Sequence, residues 1–245
     1  RSTPLYSSAA SDVYKRQGSI PMNETYDDFL YRLREQRKQL GLSQEQMAQR
    51  VHKTQSNYSK VELGLQRLSY EELKYLSESG IDIYYIFTGF RESGKYTDFL
   101  EKKTYSEICS YLGIIYSVLS LNDNNREKIS KASDEMMYIP LIIPKKKSIN
   151  AFLTLRRLSG YQQKVMADKI GVDVKKLREL EKDRCLPDSE ILWKTYHEFG
   201  ISPMYILKDK EGTIREVDAL LEISEGECTE KLLTIVSSLA EGNKE

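Results

Sequence analysis

LSQEQMAQRVHKTQSNYSKVELG, the run Leu42–Gly64, decides how this chain folds. Ser43 offers a hydroxyl N-cap with Gln46 three positions on, in capping-box spacing, and Met47, Ala48 and Val51 then line one face of a short helix. After His52 and Lys53, Thr54 caps a further helix in which Tyr58 and Val61 point inward while Gln55, Ser56, Ser59 and Lys60 face outward. Gly64 stops it. Upstream, Phe29, Leu30, Leu33 and Leu40 keep helical spacing among charges, and Gly41 ends that segment as a C-cap would. Downstream, Tyr70 to Ser79 supplies a fourth helix and Ile83 to Phe87 a short fifth.

The chain repeats itself. At an offset of 119, Leu30 faces Ile149, Leu33 faces Phe152, Met47 faces Met166, Ala48 faces Ala167, Val51 faces Ile170, Tyr58 faces Leu177 and Val61 faces Leu180. Polar identities are rarer and more telling: Arg37 with Arg156, Gly41 with Gly160, Gln44 with Gln163, Glu62 with Glu181. At 120 the match continues through Gly80-Ile81 with Gly200-Ile201 and Tyr85-Ile86 with Tyr205-Ile206. The same shift pairs Leu112, Ile115 and Leu119 with Leu232, Ile235 and Leu239, so the repeated unit is a helical core plus a helical tail.

Two short helices joined by a tight turn, the second showing water a polar face, make the helix-turn-helix arrangement. The run Leu42–Gly64 closely resembles the Cro and C1 type repressor domain, the xenobiotic-response-element family, and its Thr54-Gln55 start resembles that of lambdoid phage repressors. GYQQKVMADKIGVDVKKLRELEKD, Gly160–Asp183, resembles it more weakly. The resemblance implies an all-α fold of two lambda-repressor-like helix-turn-helix bundles in tandem, each followed by an amphipathic helical tail. It also implies a buried ion pair between helix one and the end of helix three, for which the chain offers Arg37 with Glu62 and Arg156 with Glu181. There are departures: His52 stands where the family favours a turn glycine, and Leu63 where a basic residue is common. In the second core Tyr161 replaces leucine, Gln162 the capping Ser or Thr, and Asp183 the glycine after helix three.

Such a bundle is expected to bind double-stranded DNA, because the major groove admits a helix and presents a distinct pattern of donors and acceptors at each base pair. By the resemblance, Gln55 at the N-terminal end of helix three approaches base edges, where a glutamine bonds adenine in a bidentate manner for about 1–3 kcal/mol of discrimination. Gln44 opens helix two, where backbone N–H groups and the helix dipole favour a phosphate. Thr54, Ser56, Asn57, Ser59 and Lys60 complete the first candidate face, and Gln163, Lys175, Lys176 and Arg178 the second, whose charge suits phosphate contact more than base reading. A solvated face without a partner is the alternative for each. From Glu24 to Phe90 there are 9 basic and 10 acidic residues, a net of −1, whereas Lys145 to Lys208 carries 14 and 8, a net of +6. The second core carries more electrostatic affinity.

Composition bounds the rest. The 245 residues carry 37 Lys plus Arg against 37 Asp plus Glu, so a nucleic-acid role must be argued from local charge. With 40% hydrophobic and 30% charged residues, 13 Gly and 6 Pro, the chain is expected to be globular, with two compact domains rather than one. Ile81–Phe90 and Gly113–Leu121 are too short for the roughly 18–20 residues of a membrane span. Cys109, Cys185 and Cys228 are read as free thiols in a reducing cytoplasm. His52 and His197, the only histidines, have no partners that make a metal or nucleophile set, and no phosphate-loop glycine pattern occurs, so neither an enzyme nor a cofactor is expected.

The expected organisation is a leader over 1–23, a first helix-turn-helix domain over 24–90, a tail and linker over 91–144, a second domain over 145–208 and a C-terminal tail over 209–245. In the leader, Arg1–Gln17 shows no periodicity, and its DVYKRQ ending resembles translated sequencing-adapter sequence, with Met22 as the expected start and a natural disordered tail as the alternative. In the first tail Ile108, Leu112, Ile115 and Leu119 form one stripe, to be buried on its own core, on the other tail as an intramolecular pseudo-dimer, or on a second chain as a homodimer. Asn122–Lys131 and Tyr138–Pro144 form the hinge, followed by lysines 145–147. The function expected is a transcriptional regulator acting as a repressor. Its rival is a non-enzymatic protein–protein interaction module that kept the fold and gave up DNA.

Overall fold

The computed structural model describes residues 24–89, 91, 94–120, 150–158, 160–199, 202–223 and 234, and among these all regular structure is helical. The leader, the linker, Ile149, Gly200-Ile201, Cys228 and the stripe positions Leu232, Ile235 and Leu239 lie outside the described residues, as do the side chains of Ile115 and Leu119. Two compact units divide the chain. One draws its described residues from 24–89 and 150–212, the other from 91–120 and 213–234.

In the first unit the earlier core contains α1 (Tyr26–Gln39), α2 (Gln44–Arg50), α3 (Gln55–Glu62), α4 (Tyr70–Glu78) and α5 (Ile83–Thr88). Local chemistry sets the ends. The Ser43 hydroxyl accepts from the Gln46 amide at 3.1 Å while Gln46 Oε1 accepts from the Ser43 amide at 2.8 Å, the reciprocal box expected from the spacing. Ser69 and Glu72 repeat the device at α4. Thr54 caps α3 by accepting from the Asn57 amide at 3.3 Å. Gly64 has φ 74°, a left-handed conformation that glycine adopts without strain, and a Cβ there would lie 2.9 Å from Leu30 Cδ1, so a larger residue would also push that side chain aside.

The later core follows the same order with α8 (Ala151–Leu158), α9 (Gln163–Ile170), α10 (Val174–Glu181), α11 (Ser189–Phe199) and α12 (Pro203–Leu207). Here Asp173 caps α10, accepting from the Lys176 amide at 2.6 Å, whereas Gln162 gives α9 no side-chain cap. The matched apolar slots are all buried: Leu33 and Phe152, Met47 and Met166, Ala48 and Ala167, Val51 and Ile170, Tyr58 and Leu177, Val61 and Leu180. Each such large side chain contributes about 1.5–3 kcal/mol of transfer free energy as an upper bound.

The two cores bond directly to each other. Ser189 donates its amide to the Leu68 carbonyl at 2.9 Å, and its hydroxyl accepts from the Leu68 amide at 3.1 Å and lies 2.6 Å from the Tyr26 hydroxyl. Arg67 reaches Glu190 at 2.5 Å and lies over the Tyr26 ring at 4.7 Å. Tyr70 donates to the Leu207 carbonyl at 2.9 Å, and Ser77 to Asp209 at 2.5 Å. Arg32 closes the C-terminal end of α5, donating to the carbonyls of Ile86 at 2.9 Å and Phe87 at 3.2 Å, and pairs with Glu24 at 2.8 Å. The other Glu24 oxygen is 3.5 Å from His197 Nε2.

The second unit contains α6 (Thr97–Glu101), α7 (Tyr105–Ser120) and most of α13 (Lys210–Ile223). Ile108 and Leu112, the described part of the expected stripe, are fully buried, and Asp218 accepts from the amides of Gly94 at 3.0 Å and Tyr96 at 2.6 Å. Burial raises the Cys109 thiol above its ordinary value. Cys109 and Cys185 are free thiols, and no described helix is long and apolar enough to cross a membrane.

Candidate nucleic-acid interface

The candidate residues of the first core are organised by a carboxylate below the surface. Glu62, the last residue of α3, is 3% exposed and accepts from Arg37 Nε at 2.6 Å and Arg37 Nη2 at 3.1 Å. That hydrogen bond raises the Arg37 guanidinium above its ordinary value. Gln44 Nε2 makes a third donation to Glu62 at 2.8 Å. A carboxylate only accepts, so the amide end of Gln44 facing it must be the NH2, and the carbonyl oxygen is turned outward. Gln55 Nε2 donates to that oxygen at 3.0 Å. Four side chains from α1, α2 and α3 thus form one chain with fixed bond directions: Arg37 and Gln44 both donate to Glu62, and Gln55 donates to Gln44.

The later core builds the same chain with a different end. Arg156 bonds Glu181 through Nε, and through Nη2 at 3.3 Å; Gln163 Nε2 donates to Glu181 at 2.9 Å; and Arg178 Nε donates to Gln163 Oε1 at 3.0 Å. Both expected ion pairs are present, each spanning 25 residues. What sequence reasoning missed is that Gln44 and Gln163 hang on those pairs. The available signal was the Gln44–Gln163 identity in the repeat, which the dipole argument assigned to a phosphate.

Around this chain Thr54, Gln55, Ser56 and Lys60 are exposed, and Asn57 and Ser59 half-exposed. Among the described residues no side-chain hydrogen bond joins Ser56, Asn57, Ser59 or Lys60 to the Gln44–Gln55 pair. On α10 Lys175 and Arg178 are exposed and Lys176 is half-buried. Tyr58, whose ring lies beneath α3, is fully buried, and burial pushes its phenol far above the ordinary value. Two apolar side chains, Leu63 at 66% and Leu65 at 73% exposure, stand just after α3. Among the described residues no three His, Cys, Asp or Glu side chains converge as metal ligands.

No curated protein and no solved structure matches the chain. Residues 33–78, from the middle of α1 to the end of α4, match the family model described as helix-turn-helix, so this stretch is similar to a DNA-binding domain of the Cro and C1 type.

Proposed function

We propose that the chain is a sequence-specific DNA-binding transcriptional repressor that docks helix three of one or both cores, α3 and α10, in the major groove. The observation that carries this reading is the directed chain ending at Gln55. With Nε2 committed to Gln44, the Gln55 amide has a set orientation on an exposed helix start, and glutamine so placed bonds the N6 and N7 of adenine. Thr54, Ser56, Asn57, Ser59 and Lys60 supply neighbouring base and phosphate contacts, and Gln163, Lys175, Lys176 and Arg178 those of the second face. The domains in this reading are 24–90 and 145–208, with 91–144 and 209–245 as tail and linker segments. The Ser189–Leu68 and Arg67–Glu190 bonds between the cores, and the Asp218 bonds to Gly94 and Tyr96 between the tails, support an intramolecular pseudo-dimer. The protein would act in the cytoplasm.

Gel-shift measurements on a preferred site and on random duplex test the reading. Gln55→Ala is expected to weaken binding to the preferred site by about ten- to hundred-fold while leaving random duplex nearly unaffected. Equal losses on both would remove the base-reading role. The interaction-module reading is favoured by the −1 charge of the first core and by exposed Leu63 and Leu65. It predicts weak, sequence-indifferent retention that vanishes as salt rises.

A further inference from the structure

The two hydrogen-bonded chains are alike up to their last member, and there they differ in chemistry. In the first core the end is Gln55, an amide with one donor and one acceptor edge. In the second it is Arg178, a guanidinium with donors only, held through Nε by Gln163 Oε1. That bond is directed for the same reason as in the first core: Glu181 takes the NH2 of Gln163, so the carbonyl oxygen faces outward and can only accept. With Nε engaged, the two Nη groups of Arg178 remain as a paired set of donors on an exposed side chain. Arg178 makes no ion pair among the described residues; neighbouring Glu179 pairs with Arg184. Two parallel donors match the O6 and N7 acceptors of guanine, the pattern that an adenine edge, with its N6 donor, does not offer.

The cores that carry these ends belong to one compact unit. The residues bonding them, among them Tyr26, Arg67 and Leu68 with Ser189 and Glu190, lie outside α3 and α10, and both Gln55 and Arg178 stay exposed. We propose, resting on the DNA-binding reading above, that one chain reads an asymmetric duplex site, with Gln55 specifying an adenine in one half and Arg178 a guanine in the other. Arg178 is then a specificity-determining residue and not a phosphate contact. A symmetric operator, the expectation for two copies of one head, is not what this pair of ends selects.

The test uses the full chain and a pool of duplexes with a randomised centre. The recovered site should be non-palindromic, with an adenine position in one half and a guanine position in the other. Arg178→Gln should lower the preference for that guanine about ten- to hundred-fold and leave the adenine preference intact, and Gln55→Ala should do the reverse. A palindromic site recovered by the wild-type chain would overturn the proposal, as would an Arg178→Gln variant that loses affinity equally for every duplex. Either result leaves the DNA-binding reading standing. Failure of the wild-type chain to retain any duplex would overturn both.

Discussion

The turn between α2 and α3 carries His52 at φ 54°, while the matching turn of the second core carries Gly171 at φ 71°; after helix three the assignment reverses, with Gly64 at φ 74° and Asp183 at φ 54°. Both cores need a left-handed residue at both places, and each places a side chain at one of them. The requirement is conformational, and a non-glycine residue meets it at about 1–2 kcal/mol. Local contacts offset part of this: the His52 ring stands edge-on to Tyr75 at 4.7 Å, and Asp183 accepts from Asn150 at 2.6 Å. What reads as a departure from the family pattern in sequence leaves the backbone path unchanged.

The largest expected break in the likeness of the two cores comes from their ion pairs. Glu62→Ala strands Arg37 and the Gln44 amide and should destabilise the chain by about 3–5 kcal/mol in urea melts. Glu181→Ala should fall at the lower end, because Arg156 is 20% exposed against 12% for Arg37. Equal values would mean that partial hydration of the arginine does not matter here.

Acid should separate the cores next. Burial, then the positive charge of Arg32, depress the His197 imidazole from 6.5 to about 4. Unfolded chains take up that proton first, so stability is complete above about pH 6.5 and falls as pH drops toward 4, by about 2–3 kcal/mol. His197→Gln should remove this part of the slope between pH 7 and 4.5; an unchanged slope would place the titration elsewhere.

A pair of serines sharpens the contrast at smaller scale. Ser69 caps its own helix, and Ser69→Ala should cost about 1 kcal/mol. Ser189, one repeat later, leaves capping to Asp188 and instead satisfies Leu68 and Tyr26 across the interface. Ser189→Ala should cost about 1–3 kcal/mol, since it orphans a buried amide. The smallest effect is at the turn: His52→Gly should stabilise the chain by about 0.5 kcal/mol, the relief of strain being offset by the entropy of glycine and the lost ring contact.

Helix starts and stops were legible because they are local. Ser43 with Gln46, Thr54 and Gly64 each act within four residues of themselves, and the buried slots follow from periodicity repeated twice. The ion pairs came from the family resemblance together with a 25-residue spacing found in both halves. The contact between cores was not legible, for Ser189 and Leu68 are 121 residues apart and each has an ordinary role in its own helical pattern. Arg32 escaped notice because it stands as one more charge on α1, and nothing local marks the α5 carbonyls it closes. The candidate faces were visible as polar positions, yet their order was not: that Gln44 turns its oxygen outward depends on which group lies beneath it.

The Ser189–Leu68 exchange has a consequence for synthesis. At roughly 5–20 residues per second, the ribosome delivers Ser189 some ten seconds after Leu68. Until then the Leu68 amide and carbonyl and the Tyr26 hydroxyl have only water to take the place of Ser189. Polar groups are not all that waits, since α5 packs on α12 and α1 on α11 across the same junction, and the apolar side chains of the first core gain that cover only when the later helices arrive.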